Sequence, residues 1–194
     1  MKAIHIIMAL GILIAIFGQF ALASPSEKKS QGESQVTTFT HNSGEILNLD
    51  GAKIYYEEIG SKGKPVLLLL HGGFQTIEDL NPVASSLAKD FRIIGIDSRG
   101  HGKSTLGNTV LTYERMQHDA EAVLKHLDIS SASILGFSDG GTVALRIAAT
   151  KSIKVEKLIV IGASWNVKEL AGSEAMYKEI TPESAKSMFS DYFA

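Results

Sequence analysis

Short runs of apolar residues alternate along this chain with longer segments in which apolar residues recur every three or four positions. An uninterrupted apolar run predicts a strand that is covered on both faces, as in a parallel sheet between helices. The strand-like runs are residues 66–70, 91–96, 133–137 and 155–161. The first of them is apolar at every position, which predicts a strand in the middle of the sheet.

Helical periodicity separates these runs. The apolar positions are 80, 83, 87 and 88 in the first segment, 116, 120, 123, 124 and 127 in the second, and 143, 144, 147 and 148 in the third. Thr112 precedes the second segment and is a typical helix cap. The order β-α-β-α-β-α-β predicts an α/β fold with a mostly parallel sheet, right-handed crossovers and helices on both faces.

Two shorter strands are predicted before this alternation. Residues 45–49 and 53–59 flank Asp50-Gly51, a dipeptide typical of the tight turn in an antiparallel hairpin. We therefore place the folded core at residues 45–165. Residues 24–44 are rich in Ser, Lys, Gln, Glu and Thr, and this composition predicts a flexible linker.

The first 23 residues have the pattern of a secretory signal peptide. Lys2 precedes a stretch with almost no polar side chain over residues 4–17, and Ala21-Leu22-Ala23 forms a cleavage site before Ser24. We expect an exported protein, periplasmic or secreted, with no membrane contact after cleavage. The alternative is an uncleaved membrane anchor, which the short apolar stretch and the single basic residue disfavour.

Charge and composition exclude several classes of function. The 19 basic and 21 acidic residues give a net charge of −2, which does not favour binding to nucleic acid or to an anionic membrane surface. The absence of cysteine excludes disulfides, a thiol nucleophile and cysteine-based zinc sites. Neither H-E-x-x-H nor G-x-x-x-x-G-K-[ST] occurs, so we expect no metal and no cofactor.

The clearest sign of chemistry is the segment Gly136-Phe137-Ser138-Asp139-Gly140, which has the pattern G-x-S-x-G. It lies between a predicted strand and a predicted helix, where small flanking residues allow a sharp turn that projects the serine hydroxyl. His71, Asp97 and Ala163 also follow predicted strands. Ligands of parallel sheets bind at the carboxyl ends of the strands, so we expect these residues near Ser138.

Three motifs in this order resemble those of the α/β-hydrolase family. They are His71-Gly72-Gly73, then Asp97-x-Arg99-Gly100-x-Gly102-x-Ser104, then Gly136-x-Ser138-x-Gly140. The resemblance extends from about Glu45 to Trp165. Within the family, the run Gly-Phe-Ser-Asp-Gly-Gly is most similar to that of valacyclovir-hydrolase-like carboxylic-ester hydrolases.

The resemblance implies acyl transfer on a small acyl substrate such as a carboxylic ester. Ser138 would be the nucleophile, and the backbone N–H groups of Asp139 and of Gly73 or Phe74 would stabilise the oxyanion. His71 would shape the oxyanion loop and contact the substrate. The positive end of the helix that follows Ser138 would favour the same charge. The oligomeric state is left open by the sequence.

One feature departs from the family pattern. The family's order is nucleophile, acid, then histidine, whereas all histidines of this sequence precede Ser138, at positions 5, 41, 71, 101, 118 and 126. We therefore expect that the catalytic histidine and acid are not in this chain, that its last sheet strands are missing, and that residues 166–194 begin a helical cap. Without a base, Ser138 should react little or not at all with a fluorophosphonate. The alternative is a complete, non-catalytic or degenerate binding module.

Several polar residues near the expected site have both structural and chemical interpretations. A structural role is favoured over a base for His71 and His101. Asp97 and Arg99 are predicted to form a hydrogen-bonded pair that fixes a turn. The Asp139 carboxylate either interacts with the helix dipole, which is favoured, or binds an ammonium group of the substrate, as in hydrolases of amino-acid esters.

Overall fold

The computed structural model describes residues 37–164 and 181–188. The strands of this part are β1 (Glu45–Leu49), β2 (Ala52–Gly60), β3 (Val66–Leu70), β4 (Arg92–Ile96), β5 (Ser131–Phe137) and β6 (Lys154–Ile161). The helices are α1 (Asn81–Leu87), which follows a 3-10 turn at Ile77–Leu80, then α2 (Tyr113–His126), α3 (Asp139–Thr150) and α4 (Pro182–Met188). The predicted α/β fold is confirmed.

The described strands form one sheet in the order β1-β2-β4-β3-β5-β6. β3 pairs in parallel with β4 and β5, and β5 pairs in parallel with β6, which confirms the mostly parallel sheet and the central position of β3. β1 and β2 form the predicted antiparallel hairpin around Asp50 and Gly51. At the other edge of the described sheet, Ile159 and Ile161 of β6 are 46% and 39% exposed.

Helices cover both faces of the sheet, as the sequence predicts. α2 and α3 pack on one face, where the buried apolar residues include Leu68, Ile94, Ile134, Ala120, Leu124, Val143 and Ile147. The 3-10 turn and α1 pack on the other face, where they include Leu67, Leu69, Ile93, Leu135, Ile77, Leu80 and Ala84. Thr112 caps α2 by accepting a hydrogen bond from the backbone N–H of Arg115. The carboxyl ends of four parallel strands therefore share one edge.

The end of the predicted linker is bound to the sheet. Phe39 is 1% exposed, and its ring occupies the space that a side chain at Gly95 would need. The Phe39 backbone exchanges hydrogen bonds of 2.7 and 2.9 Å with the Asn81 amide. The Thr40 N–H donates to Glu57 at 3.1 Å. The prediction of a flexible linker is therefore wrong for this segment, because Phe39 supplies apolar contact area that the polar composition around it concealed.

Other domain predictions lie outside the described residues. These are the signal peptide at residues 1–23, the linker up to residue 36, and most of the segment interpreted as a cap at residues 166–194. The structure does describe α4 within that last segment. In residues 37–164 and 181–188, none of the helices combines the length and apolar content that crossing a bilayer requires.

Arg99 and Asp119 form a buried ion pair between the turn after β4 and helix α2. Their side chains are 0% and 3% exposed. The guanidinium donates to both carboxylate oxygens, at 2.8 Å from Nε and 2.6 Å from Nη2. The predicted pairing of Arg99 with Asp97 is therefore wrong. Asp119 interrupts the apolar stripe of α2, and nothing in the local pattern indicated that its partner lay 20 residues earlier.

We expect the substitution Asp119→Ala to lower the free energy of unfolding by about 3 to 5 kcal/mol, because it leaves the Arg99 charge buried without a counter-ion. Chemical denaturation monitored by circular dichroism measures this loss. Lys62→Ala removes the exposed partner of a surface pair with the half-buried Glu58, and it should cost less than about 1 kcal/mol. Similar small losses for both variants would contradict a structural role of the buried pair.

Candidate active site

Ser138 occupies a sharp bend between β5 and α3. Its backbone has φ 50° and ψ −117°, a combination that is strained for a residue with a side chain. The bend brings main chains close together: a Cβ at Gly136 would lie 2.3 Å from the Gly140 oxygen, and one at Gly140 would lie 2.3 Å from the Leu70 oxygen. The Ser138 N–H donates to the Ile161 oxygen of β6 at 2.8 Å. Both glycines of the sequence motif are thus required by packing.

The loop that follows β3 lies beside this bend. A Cβ at Gly72 would be 3.1 Å from the Cβ of Ser138, so the glycine main chain approaches the serine without an intervening side chain. The Gly72 N–H is bound by the Gln75 side chain at 2.8 Å. Phe74, the next residue but one, has a φ of 56° and is 36% exposed. The structure therefore brings Ser138 and the 72–74 loop together at the expected edge of the sheet.

His71 lies beneath this loop and is fully buried. Its Nδ1 donates to the Gly72 oxygen at 2.7 Å, and its Nε2 accepts from the Ser98 N–H at 2.9 Å. Burial lowers the pKa of His71 to about 4, so the ring is neutral near pH 7. Because both ring nitrogens bind main-chain groups, the geometry is at odds with the predicted contact between His71 and substrate. It fits the loop-shaping role that the sequence resemblance implies.

Asp97 forms hydrogen bonds to three segments of the chain: the N-terminal segment, the start of the 3-10 turn and the turn after β4. Its buried carboxylate accepts from the Ile77 N–H at 3.0 Å and from the Lys103 N–H at 2.8 Å. The third contact, 2.7 Å long, comes from Nε2 of His41 in the N-terminal segment. The sequence pattern gave no sign of His41, which lies in a polar stretch 56 residues before its partner. Asp97 thus connects the end of the 71–77 loop to the turn after β4.

The remaining histidines of the described part are His101, His118 and His126. His101 binds the Arg99 backbone oxygen through Nδ1 at 3.1 Å, and its ring centroid is 5.3 Å from that of His71. His118 and His126 are exposed on α2. Within residues 37–164, no histidine is hydrogen-bonded to the Ser138 hydroxyl. These residues likewise hold no group of three or more acidic or histidine side chains arranged for a metal ion.

Asp139, the first residue of α3, places a partly exposed carboxylate next to Ser138. Its Oδ1 accepts a 2.6 Å hydrogen bond from the Tyr113 hydroxyl. Its Oδ2 lies over Gly73, 2.7 Å from the position that a Cβ would take there. Tyr113 was not among the residues that the sequence indicated. The available signal was its position directly after the Thr112 cap, at the start of a helix between two motif-bearing strands.

The fold agrees with comparisons to known proteins. Residues 65–180, more than half of the chain, match the family described as alpha/beta hydrolase fold. The chain therefore belongs to the α/β-hydrolase family, which confirms the resemblance inferred from the three motifs.

Individual relatives carry hydrolytic activities. The serine hydrolase BPHL of Mus musculus is 31% identical over 144 residues, covering 72% of this chain and 49% of the relative. The bifunctional esterase/perhydrolase DCH of Acinetobacter calcoaceticus is 28% identical over 150 residues, covering 75% and 54%. This chain spans between 34% and 54% of the length of such curated relatives. At the level of the family, the chain is of the α/β-hydrolase type.

Solved structures give the same result. A hydrolase from Pseudomonas aeruginosa PA01 superposes with a TM-score of 0.65 at 25% identity, covering 77% of this chain and 58% of that chain. A carboxylesterase of the thaumarchaeon Nitrososphaera gargenis superposes with a TM-score of 0.61 at 28% identity, covering 68% and 51%. Ester hydrolysis therefore recurs among the similar proteins.

The lowered pKa of His71 predicts a pH dependence of stability. The unfolded ring gains its proton as the pH falls below 6.5, whereas the folded ring does so only near pH 4. The unfolded state therefore binds more protons in this window, and the free energy of unfolding should fall by up to about 3 kcal/mol as the pH is lowered through it.

Denaturation at several pH values measures this slope, and nitrogen-15 NMR observes the ring directly. At pH 5.5, between the two values above, we expect a neutral His71 ring protonated on Nδ1. An imidazolium signal for His71 in the folded protein at that pH would contradict the assignment. A His71→Gln variant, which keeps a polar side chain but cannot titrate, should show a shallower slope.

Proposed function

We propose that this chain carries the nucleophile and the oxyanion-binding loop of a serine hydrolase that acts on carboxylic esters or related acyl compounds. The observation that carries the proposal is the strained bend at Ser138 directly beside the glycine main chain of residue 72. A serine held in this way is exposed for attack, and the neighbouring main chain can approach the substrate closely.

In the proposed reaction, the Ser138 hydroxyl oxygen attacks the ester carbonyl carbon while a base takes the hydroxyl proton. The carbonyl oxygen becomes an oxyanion, which accepts hydrogen bonds from the backbone N–H of Asp139 and from that of Gly73 or Phe74. The N-terminus of α3 directs its positive end to the same place. Collapse of the intermediate expels the alcohol and leaves an acyl group on Ser138, which water then removes.

The general base is not assigned by this proposal. His71 has both ring nitrogens bound to main-chain groups, and every other histidine of the sequence also precedes Ser138. Small-molecule imidazole can supply a base from solution. The chain therefore offers a test in which the nucleophile and the oxyanion loop are examined separately from the base.

We expect a neutral fluorophosphonate to label Ser138 slowly or not at all in plain buffer, and faster when imidazole is added as a base. Intact-mass measurement and peptide mapping identify the labelled serine. Ser138→Ala should abolish the imidazole-dependent adduct, whereas Ser85→Ala, at an exposed serine of α1, should leave it unchanged. Adducts spread over several serines, or unaffected by Ser138→Ala, would refute the proposed nucleophile and favour a non-catalytic module.

A narrower substrate class follows from the Asp139 carboxylate. It is partly exposed and lies next to the nucleophile, where an ammonium group of a bound ester could reach it. The second candidate function is therefore hydrolysis of esters that carry a free amine, such as amino-acid esters. Its alternative is that the carboxylate serves the dipole of α3 alone.

The substitution Asp139→Ala separates these interpretations. In the imidazole-supplemented assay, kcat/KM for an amino-acid ester should fall by about tenfold to a hundredfold, because a charge-assisted hydrogen bond is lost. The N-acetylated form of the same ester, which has no cationic amine, is the matched control and should show no such loss. Equal losses for the two esters would remove amine recognition and leave the broader ester-hydrolase proposal intact.

A further inference from the structure

We propose that Tyr113 is a positioning residue, which fixes the Asp139 carboxylate beside the proposed oxyanion loop. It would thereby set how much negative charge lies near the oxyanion that forms when Ser138 reacts. The inference rests on the proposed function of Ser138. It starts from one contact: the Tyr113 hydroxyl donates to Oδ1 of Asp139 at 2.6 Å, although the two residues are 26 positions apart. A phenol–carboxylate hydrogen bond of this length is charge-assisted and strongly orienting.

The position of the carboxylate explains why its orientation matters. Asp139 contributes one of the proposed oxyanion donors through its backbone, while Oδ2 of its side chain lies over Gly73, which is proposed to provide the other. A negative charge close to this point opposes the negative charge that develops on a substrate oxygen. The Tyr113 hydroxyl offsets part of this charge by donating to Oδ1, and it keeps that oxygen turned toward α2. Without this hydrogen bond the carboxylate would carry its full charge beside the proposed oxyanion donors and could turn both oxygens toward them, and acyl transfer would be slower.

Helix α2 holds Tyr113 in place through contacts that do not involve the phenol. Thr112 caps the helix, and Arg115 in the first turn binds the Asp50 carboxylate of the hairpin at 2.5 Å. The buried pair between Arg99 and Asp119 fixes the same helix two turns later. The backbone of Tyr113 is thus attached both to the β1–β2 hairpin and to the turn after β4.

The exposure of Tyr113 separates it from the core of α2. Its side chain is 39% exposed, in contrast to Met116 at 7% and Ala120 at 2% on the packed face of the same helix. Loss of the hydroxyl alone leaves the aromatic ring in place and removes no core contact. A change in reactivity after Tyr113→Phe therefore reports on hydrogen bonding by the phenol and not on packing, and the Asp139→Ala background assigns it to Asp139.

A double-mutant cycle of Tyr113→Phe and Asp139→Ala tests the proposal, with the rate of Ser138 labelling by a neutral fluorophosphonate in imidazole buffer as the readout. Tyr113→Phe alone should slow labelling by about five- to tenfold, as expected for a lost hydrogen bond to a charged group. In the Asp139→Ala background, the same substitution should change the rate by less than about twofold, because the group that it positions is absent.

The matched control is Tyr56→Phe. It also removes a tyrosine hydroxyl that donates to a carboxylate, that of Glu45 at 3.0 Å, but it does so in the hairpin. We expect no change in labelling for this variant. An equal slowing by Tyr113→Phe with and without the Asp139 carboxylate would overturn the proposal, and so would no slowing in either background.

A crystal structure of the Tyr113→Phe variant tests the same claim without chemistry. The proposal requires that the Asp139 carboxylate turns, so that Oδ1 also faces the 72–74 loop, or occupies several positions there, and an unchanged carboxylate would overturn it. If labelling fails to depend on Ser138 at all, the proposed function has failed, and the crystal structure still decides whether Tyr113 positions Asp139.

Discussion

The close approach of main chains at the junction of β5 and α3 is the constraint on which the candidate site depends. Gly136 and Gly140 allow the start of α3 to contact the end of β5 and the last residue of β3 at distances that exclude a Cβ. A side chain at either position would push α3 away from the sheet. The bend at Ser138 and the proximity of the 72–74 loop are both consequences of this packing, since the loop continues directly from β3.

Buried polar groups then hold the loop from behind. His71, Asp97 and Arg99 are each 0% exposed, and each has at least one hydrogen bond to a residue 20 or more positions away. Burying such groups is costly unless every donor and acceptor is satisfied, so a network of this kind fixes one arrangement of its loops. Its members sit at the ends of β3 and β4. The loop beside Ser138 is therefore positioned by hydrogen bonds, whereas the bend itself is positioned by backbone packing.

The sequence predicted the strands and helices because their periodicity is local. It also placed Ser138 and the neighbouring loop at one sheet edge, since the order of alternating strands and helices determines where parallel strands end. It did not predict the hydrogen-bonded pairs that join distant segments, such as His41 with Asp97 and Tyr113 with Asp139. The expected pairing of Arg99 with Asp97 failed for the same reason: each found a partner on another element. The linker prediction was wrong at Phe39, because the ring of this residue packs against Gly95 of β4.

In the proposed reaction, the groups that stabilise the oxyanion are distinct from the group that takes the proton. Residues 71–74 and 136–140 contain the proposed nucleophile and oxyanion donors, and their arrangement depends on packing within β3, β5 and α3. His71 belongs to the first of these segments, yet its ring holds the loop in place, and protonating it would break the contact with the Ser98 N–H. A residue that must stay neutral to maintain the oxyanion loop is poorly suited to take a proton during the reaction. In the proposed reaction, oxyanion stabilisation and proton transfer would therefore be supplied by different groups, and the former alone contributes substantially to catalysis in serine hydrolases.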